Sequence, residues 1–337
     1  MPAMPPQPTV FIGIPTFNRP EMVRDAIASV LAQGFGSFRL VVSDNRSDGG
    51  ATDAVRRHVA DLGDPRVTFV VQPENRGEYG QGRFFMAQAG QDDLFMILHD
   101  DDVLHADYLA DGVAALAAYA EADFFVANAY AMTPDGVRSA ELTAQHLRDQ
   151  GRVGAAKGLY DVLEGHLACG FAPISGTLFR RGALERSGFV DADCHGNYPF
   201  EANVFLRLGE AGGKAWFSPA ERMGVRFHPG ALRSQRLLQD PALVATCIRI
   251  WGRRRFTGAL ERRRRVLLAC YYRAQALIEA RQGRVPAARR ALAQALRNNP
   301  ASPRAWALAP VMALAPGVLR MPASHARRPG APHPGTA

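Results

Sequence analysis

The chain has 337 residues, of which 47% are hydrophobic and 21% are charged, and its net charge is +8. This composition supports a buried core and excludes a disordered chain, apart from the two ends. The four cysteines are far apart and form no C-x-x-C pair, which disfavours a zinc site and a disulfide scaffold. No apolar run approaches the ~20 residues that span a bilayer, and residues 1–6 lack the features of a secretory signal. We therefore predict a globular, cytoplasmic protein.

The charge is divided unevenly along the chain. From Arg226 to the C-terminus there are 21 arginines, no lysine and three acids, a surplus of +18, so the preceding residues carry −10. A break this sharp predicts a domain boundary. We interpret the basic part as a peripheral contact with an anionic membrane at its cytoplasmic face, or as solvated helix faces whose arginines reflect a GC-rich genome. Nucleic acid binding is not predicted, because the segment lacks interleaved aromatic residues.

Four short apolar runs in the acidic part predict buried strands, at residues 10–14, 38–42, 67–71 and 94–98. Between them, the sequence predicts helices that begin at Pro20, run through 54–59 and cover 77–90. Strands that alternate with crossover helices predict an α/β fold with a mostly parallel sheet and helices on both faces. Ligands of such sheets bind beyond the carboxyl ends of the strands. At those ends this chain carries Thr16, Asn18, Asp44, Asn45, Asp100, Asp101 and Asp102.

Three consecutive acids, Asp100, Asp101 and Asp102, directly follow the fourth apolar run. Their carboxylates repel one another, and a divalent cation would offset that repulsion. Oxygen ligands suit Mg²⁺ or Mn²⁺, and Mg²⁺ completes its shell with water and substrate phosphates. The D-x-D pattern therefore favours a metal–diphosphate site. The alternative is an acidic loop that caps the following helix.

The motifs, in their order along the chain, resemble glycosyltransferase family 2. The segments that carry this resemblance are 14–19, 41–48, 98–102, an acceptor-side strand at 174–181, a "GGFDE"-like turn at 188–191, a helix similar to "ED-x-D-L-W-L-R-L" at 200–208 and an "R-x-H" segment at 226–230. The resemblance spans residues 9 to about 234. It implies a Rossmann-like GT-A fold and an inverting, metal-dependent transferase that uses a nucleotide-diphosphate sugar, in surface polysaccharide or glycan synthesis.

The resemblance also implies which residues bind the nucleotide sugar. Thr16 would border the base, and Asn18 and Arg19 belong to the same motif. Asp44 would accept a hydrogen bond from the ring N–H of the base. Arg76 would contact the base or the phosphates, although a solvated arginine is an equal alternative.

For the metal and the donor sugar, the family pattern implies a second group of residues. Asp100 and Asp101 would contact the ribose and the donor sugar. Asp102, the last acid of the D-x-D, would hold Mg²⁺ or Mn²⁺ at the diphosphate. His228 would reach the same metal or a phosphate oxygen, with a structural histidine as the alternative.

Inversion requires one base, which deprotonates the acceptor hydroxyl as it attacks the anomeric carbon. The resemblance places Glu201 at the family's catalytic carboxylate, where the family usually has Asp. Two neighbours depart from the pattern, because Phe200 replaces the first acid of the "ED" pair and Asn203 replaces a downstream Asp. Asp191 and Asp193 are the alternative bases. An ordinary acid at a helix start is the alternative role for Glu201.

The basic C-terminal part has helical periodicity from residue 237 onward. Two alanine-rich stripes, at 266–278 and 287–296, resemble a single tetratricopeptide-like hairpin, which cannot bury its own faces and so packs on the catalytic domain or on a partner. We predict four regions along the chain. They are a disordered N-terminus (1–8), the GT-A domain (9–234), a basic α-helical region (235–320) and a disordered tail (321–337).

Two other functions fit part of this pattern. A sugar nucleotidyltransferase would also use a metal at a strand end, but it needs a glycine-rich loop with Arg and Lys after the first strand, where this chain has residues 15–18. An inactive nucleotide-sugar-binding scaffold is favoured by Phe200 and Asn203 and disfavoured by the intact acids. The acceptor stays open among glycans, lipid-linked glycans and proteins.

Overall fold

The computed structural model of the chain describes residues 7–169, 172–194, 196–228 and 237–314. These residues form two compact units. The first comprises the described residues up to 193 together with 200–228, and the second comprises 194, 196–199 and 237–314. The predicted domain boundary at 234, the predicted tail at 321–337 and most of the predicted disordered N-terminus lie outside the described residues.

The described residues of the first unit form ten strands. In chain order they are β1 (Val10–Thr16), β2 (Phe38–Asp44), β3 (Val67–Val71), β4 (Leu94–Ile97), β5 (Val103–Leu104), β6 (Phe124–Met132), β7 (Arg138–Ser139), β8 (Gly158–Asp161), β9 (Leu178–Arg180) and β10 (Lys214–Arg226). All ten belong to one sheet in the order β3-β2-β1-β4-β9-β6-β10-β5, with β7 beside β6 and β8 beside β10. The sheet is parallel from β3 to β4 and mixed beyond β4.

Eight helices connect these strands. They are α1 (Pro20–Leu31), α2 (Ala51–Leu62), α3 (Gly77–Ala89), α4 (Tyr108–Ala118), α5 (Ala140–Asp149), α6 (Val162–Cys169), α7 (Arg181–Ser187) and α8 (Asn197–Glu210). The four predicted strands and the three predicted helices between them are confirmed, and so is the α/β class. Alternating residues of β1 belong to different core clusters, with Val10, Ile12 and Ile14 in one and Phe11 in the other. Because successive side chains of a strand point to opposite faces, the sheet is covered on both sides.

The first strand is longer than the sequence predicts. We expect it to stop at Pro15, which cannot donate a ladder hydrogen bond, yet β1 continues to Thr16 and pairs with β2 as far as Asp44. The pairing of β1 with β4 ends at Gly13 and Ile97. On the side of β4, therefore, no strand residue is paired with Pro15, and its missing N–H breaks no ladder hydrogen bond there. The extension carries Thr16 to the edge of the sheet.

The second unit is helical. It contains a short 3-10 helix (Leu237–Gln239) and the helices α9 (Pro241–Gly252), α10 (Gly258–Arg281), α11 (Val285–Asn298) and α12 (Pro303–Leu314). A buried cluster in this unit combines Leu292 of α11 and Met312 of α12 with small residues, among them Ala276, Ala280, Ala288, Ala291 and Ala295. Their size lets helix backbones approach closely. None of the helices described has the length and apolarity that a membrane span requires.

Candidate active site

Parallel strands end side by side at one edge of the sheet. β1 pairs with β2 to Thr16 and Asp44, and the three aspartates follow β4, the other neighbour of β1. The predicted candidates at the strand ends therefore lie along one edge. Ligands of open α/β sheets bind in this position.

The aspartate cluster is bonded to the loop that follows β1. The Thr16 hydroxyl donates to Asp100 Oδ2 over 2.9 Å. Arg19 NH1 donates to Asp100 Oδ1 (3.1 Å) and to Asp101 Oδ2 (3.2 Å). Asp100, Asp101 and Asp102 are all buried, at 5%, 9% and 4% exposure. The chain thus supplies one cation to these carboxylates itself, and a contact of Arg19 with a donor stays a prediction.

The end of β10 closes the other side of the cluster. His228 Nε2 lies 2.9 Å from Asp101 Oδ2, so the histidine contacts Asp101, and its contact with a metal at Asp102 stays a prediction. Asp102 accepts a hydrogen bond from the Ser175 hydroxyl (2.6 Å) and one from the Arg226 backbone N–H (3.3 Å). The Arg226 guanidinium also donates to the carbonyl oxygen of Asp101 (3.2 Å). Two elements distant in sequence therefore hold the acidic loop in place.

The neighbouring charges set the ionisation of the acids. Burial raises the pKa of Asp100, and the positive charge of Arg19 offsets this only in part. Burial also acts to raise the pKa of Asp101, but the hydrogen bond with His228 and the charges of His99 and Arg19 lower it to about 2. The two adjacent carboxyls thus differ in their tendency to carry a negative charge.

A metal ion fits the donor atoms that this loop presents. His99, Asp101 and Asp102 each offer one ligand atom, and these three atoms lie within 4.8 Å of one another. His99 Nε2 lies 3.0 Å from Glu78 Oε1. Burial lowers the pKa of His99, but Glu78, Asp102 and Asp101 together raise it to about 10, so a metal ion bound by His99 would have to displace a proton from the imidazole. The two carboxylates suit either Mg²⁺ or Mn²⁺, and which ion binds stays a prediction.

Asp44 ends β2 with one of its two carboxylate oxygens unpartnered among the described residues, and its contact with a base stays a prediction. Its Oδ1 accepts a hydrogen bond from the Ser47 backbone N–H over 2.7 Å, while its buried Oδ2 has no partner among the described residues. Asn18 shapes the neighbouring loop, because its N–H donates to Ser47 Oγ (2.8 Å) and its Oδ1 accepts from the Asp48 N–H (2.7 Å). Asn18 has a φ of 55°, a left-handed conformation that asparagine tolerates better than most residues.

Arg76 is exposed at the start of α3. Its backbone N–H donates to Asn45 Oδ1 over 2.8 Å, and its side chain makes a long 3.4 Å hydrogen bond to Gln72 Oε1. The backbone bond joins Arg76 to the end of β2, one residue after Asp44. A contact between its guanidinium and the nucleotide stays a prediction.

Glu201 and the aspartate cluster are linked through two consecutive residues. Glu201 Oε1 accepts a hydrogen bond from the Ile174 N–H over 3.1 Å, and the next residue, Ser175, donates to Asp102. The Ile174 nitrogen and the Ser175 hydroxyl oxygen are joined by six covalent bonds, which limits the distance between them. With one hydrogen bond added at each end, the Glu201 and Asp102 carboxylates are at most roughly 13 Å apart. The half-buried Glu201 therefore lies near the end of β4 despite its separation in sequence.

The alternative base Asp191 has a structural role. Its backbone N–H donates to Asn203 Oδ1 and its Oδ2 accepts from Asn203 Nδ2, both over 2.6 Å. Its Oδ1 accepts from Arg207 NH1 at 3.2 Å. Asp191 thus fixes α8 to the preceding turn. These bonds also explain why Asn203 stands where the family pattern has Asp. The Asn203 amide both donates to and accepts from Asp191, whereas a carboxylate could only accept.

Phe200 is a core residue where the family pattern has an acid. It is fully buried, and its ring lies against Gly82, where an added Cβ would come 2.3 Å from the Phe200 Cζ atom. Edge-on contacts with Phe189 and Tyr79 have ring centroids 5.8 Å and 6.3 Å apart. The aromatic side chain thus anchors α8 directly beside Glu201.

Replacing Phe200 with Ala should lower the free energy of unfolding of the first unit by about 3–5 kcal/mol, because it leaves a cavity over Gly82. Chemical denaturation followed by circular dichroism measures this loss. Phe84→Ala, a half-buried aromatic on α3, is the matched control and should cost less. A loss below about 1 kcal/mol at Phe200 would contradict the packing role.

The sequence patterns predict no bonding role for Ser175, Glu78 or Arg226, although Ser175 and Arg226 lie within two of the motif segments. Ser175 accepts from the His99 N–H over 3.0 Å as it donates to Asp102. Glu78 is paired with His99, and the Arg226 side chain bonds Asp25 Oδ2 at 2.8 Å. From the sequence alone, we could not have predicted which side chains bond to the acids and to His99.

Comparison with known proteins gives matches to sugar transferases. Residues 11–187 match the family described as Glycosyl transferase family 2. Over 70 residues the chain is 31% identical to WcaA of Escherichia coli (strain K12), whose name describes a colanic acid biosynthesis glycosyl transferase. That segment is 21% of this chain and 24% of WcaA, so the match covers less than two thirds of that relative.

Two solved structures are similar in fold. TarS of S. aureus in complex with UDP-GlcNAc has a TM-score of 0.59 and 13% identity, over 89% of this chain and 83% of that chain. The mannosyltransferase PcManGT from Pyrobaculum calidifontis, in complex with GDP-Man and Mn²⁺, has a TM-score of 0.57 and 19% identity. This second match covers 92% of this chain and 81% of the other. At these identities the likeness concerns the fold.

Proposed function

The chain belongs to glycosyl transferase family 2 and has the GT-A fold, and from this premise we propose an inverting transferase that moves a sugar from a nucleoside diphosphate to an acceptor hydroxyl. In this proposal Glu201 is the base, and the loop that holds Asp100, Asp101 and Asp102 binds the diphosphate end of the donor. The supporting observation is the pair Ile174–Ser175, which bonds Glu201 on one side and Asp102 on the other.

The reaction needs one proton acceptor. The acceptor oxygen forms a bond to the anomeric carbon as the bond from that carbon to the diphosphate oxygen breaks, and the hydroxyl proton passes to Glu201. Attack opposite the leaving group inverts the anomeric centre. The Ile174 N–H, which donates to Oε1, fixes the orientation of the Glu201 carboxylate.

The leaving diphosphate carries negative charge that must be balanced. A bound Mn²⁺ or Mg²⁺ would supply positive charge there, and Asp101 and Asp102, with His99 or His228, are the residues that would hold it. The chain positions these ligands through Ser175 and the Arg226 backbone. The acids alone would repel a diphosphate, so the cation is part of the proposal.

The similar proteins suggest which donor sugars and acceptors to test first. UDP-GlcNAc and GDP-Man are bound by the two similar structures, and WcaA is named for the biosynthesis of a polysaccharide. We therefore take UDP-linked and GDP-linked sugars as the first donors and a growing polysaccharide or lipid-linked glycan as the acceptor. Such an acceptor would be met at the cytoplasmic side of a membrane, where the basic second unit would contact anionic lipid.

The proposal is tested by melting the full-length protein with UDP, GDP and dTDP sugars, each with and without Mn²⁺. One nucleotide class should raise the melting temperature, and the rise should require Mn²⁺. The same donor should then release nucleoside diphosphate in the presence of an acceptor mixture. Donor binding without any release, for every acceptor tried, would favour an inactive sugar-nucleotide-binding scaffold.

Replacing Asp44 with Asn should weaken donor binding by about 10–100-fold, because an amide NH₂ cannot accept the ring N–H of the base. The bond from Ser47 to Oδ1 is retained, so the fold should be preserved. Titration of the donor in a calorimeter measures the change. Asp48→Asn, at an exposed acid of the same loop, is the control, and equal affinities for the two variants would remove Asp44 from the binding site.

A further inference from the structure

The corner between α11 and α12 gathers positive charge. Arg265 of α10 donates from its NH2 to the carbonyl oxygen of Arg297 over 2.6 Å, and Arg304 lies in the first turn of α12, seven residues after Arg297. All three side chains are exposed. The Trp306 indole N–H donates to the carbonyl oxygen of Pro300 over 2.6 Å, which ties the first turn of α12 to the same corner.

No acid of the second unit offsets this charge. Asp240 caps α9 through the N–H groups of Ala242 and Leu243. Glu261 is bonded to Arg264, and Glu279 is paired with Arg284. These are the only acids among residues 237–314, which hold fifteen arginines. Three like charges at one corner repel one another, and binding to an anionic surface would relieve that repulsion.

An exposed apolar surface continues from this corner along α12. Trp306, Ala307, Pro310 and Ala313 are exposed and recur at helical spacing, and 56% of Trp306 is accessible. Beside them is a cleft of about 450 Å³ between α11 and α12, lined by apolar residues such as Leu292, Leu296 and Met312 and by Arg289, whose guanidinium donates to the carbonyl oxygens of Met312 and Ala313. An apolar helix face with basic residues at one end and a tryptophan at the boundary is typical of helices that lie in a membrane interface.

We propose that this corner binds the surface of an anionic phospholipid bilayer. Arg265, Arg297 and Arg304 would contact lipid phosphates, Trp306 would lie among the headgroups, and the exposed face of α12 would rest on the acyl boundary. The phosphates of a nucleic acid would also pair with the arginines, but a nucleic acid has no alkyl surface on which the apolar face of α12 could be buried. The inference rests on the proposed function, since it names the surface on which an acceptor of that transferase would be met.

The test uses the full-length protein and sedimented vesicles. Vesicles of phosphatidylcholine and phosphatidylglycerol in equal parts should bind the protein, and vesicles of phosphatidylcholine alone should not. Binding should weaken at about 0.5 M salt, because screening shortens the reach of the lipid charge. Equal binding to both kinds of vesicle, or to neither, would overturn the proposal.

Variants locate the surface. Changing Arg265, Arg297 and Arg304 together to Gln should weaken vesicle binding by about 100-fold. Trp306→Ala alone should weaken it by about tenfold. The matched control changes Arg24, Arg57 and Arg148, three exposed arginines of the first unit, to Gln and loses the same net charge. Equal losses in the two triple variants would mean that charge alone, rather than this corner, drives binding, and would overturn the proposal.

Two further measurements test whether a second copy of the chain or a nucleic acid, rather than a bilayer, binds this surface. Self-association of the parent that Trp306→Ala abolishes, without vesicle binding, would assign the face to a second copy of the chain. Binding of poly(U) as tight as vesicle binding and unaffected by Trp306→Ala would assign the corner to nucleic acid. Either result overturns the proposal. The donor-induced rise in melting temperature is recorded for every variant, so an intact rise without vesicle binding refutes the membrane surface and spares the transferase.

Discussion

Replacing Glu201 with Gln is expected to reduce the rate of sugar transfer by about 10³-fold while donor binding is unchanged, because the amide cannot take the acceptor proton. The Gln oxygen can still accept the Ile174 N–H, so the side chain keeps its orientation. Glu201→Asp keeps a carboxylate, one methylene shorter, and should lose about 10²-fold through misplacement. The measurement is nucleoside diphosphate release at saturating donor and acceptor, beside a donor titration.

Glu210→Gln is the matched control for this variant, because it removes one exposed carboxylate from the same helix. It should transfer sugar at the parent rate. If Glu201→Gln also keeps the parent rate, another group is the base, and Asp193 becomes the next residue to test. If Glu201→Gln loses donor binding together with transfer, Glu201 acts on the donor rather than on the acceptor.

Replacing Asp102 with Asn should lower transfer by about 10³-fold, through loss of the metal and of the diphosphate that the metal would hold. The fold should survive, because an Asn oxygen can still accept from the Arg226 backbone N–H and the Ser175 hydroxyl can rotate to accept from the amide. In melting experiments the variant should lose the part of the donor-induced rise that requires Mn²⁺.

The control for Asp102 is Asp107→Asn, an exposed acid five residues later. It should respond to Mn²⁺ and donor as the parent does. An undiminished Mn²⁺ response in Asp102→Asn would exclude this carboxylate as a ligand. Because His228 contacts Asp101, a His228→Ala variant that binds Mn²⁺ normally would favour His99 as the third ligand.

The parallel half of the fold is readable from the sequence. Continuous apolar runs mark β1 to β4, because strands buried on both faces have no polar side, and the polar residues that follow them identify the edge where Thr16, Asp44 and the acids meet. Beyond β4 the sequence predicts one strand, at 174–181, through the family resemblance, and β9 lies within it. The position of β9 between β4 and β6 is not predictable, since the pairing depends on contacts far apart in sequence.

The acids of the site were predictable and their partners were not. A run of three aspartates after a strand indicates a cation site by its own chemistry. Nothing in the sequence shows that Ser175 bonds Asp102 or that Ile174 bonds Glu201, because these bonds form only when the segment before β9 and the helix α8 pack on the sheet. Proximity of Glu201 to the acids came from the family resemblance, and the hydrogen bonds give it a physical basis.

Phe200 shows how a departure from a pattern is resolved by packing. On the sequence alone, the missing acid favoured an inactive scaffold. In the structure the large ring of Phe200 fills the space left by the missing side chain of Gly82. The phenylalanine in place of the family's acid is therefore a core residue beneath α8. Its complement lies 118 positions earlier in the chain, and single-sequence patterns do not connect such positions.

The most direct test of the account is a crystal structure of the full-length protein with Mn²⁺ and the nucleoside diphosphate that raises its melting temperature. An anomalous difference peak should lie within bonding distance of Asp102, with the diphosphate on the metal and Glu201 facing the same cavity. A peak elsewhere, or a nucleotide bound with Glu201 turned away from it, would contradict the account.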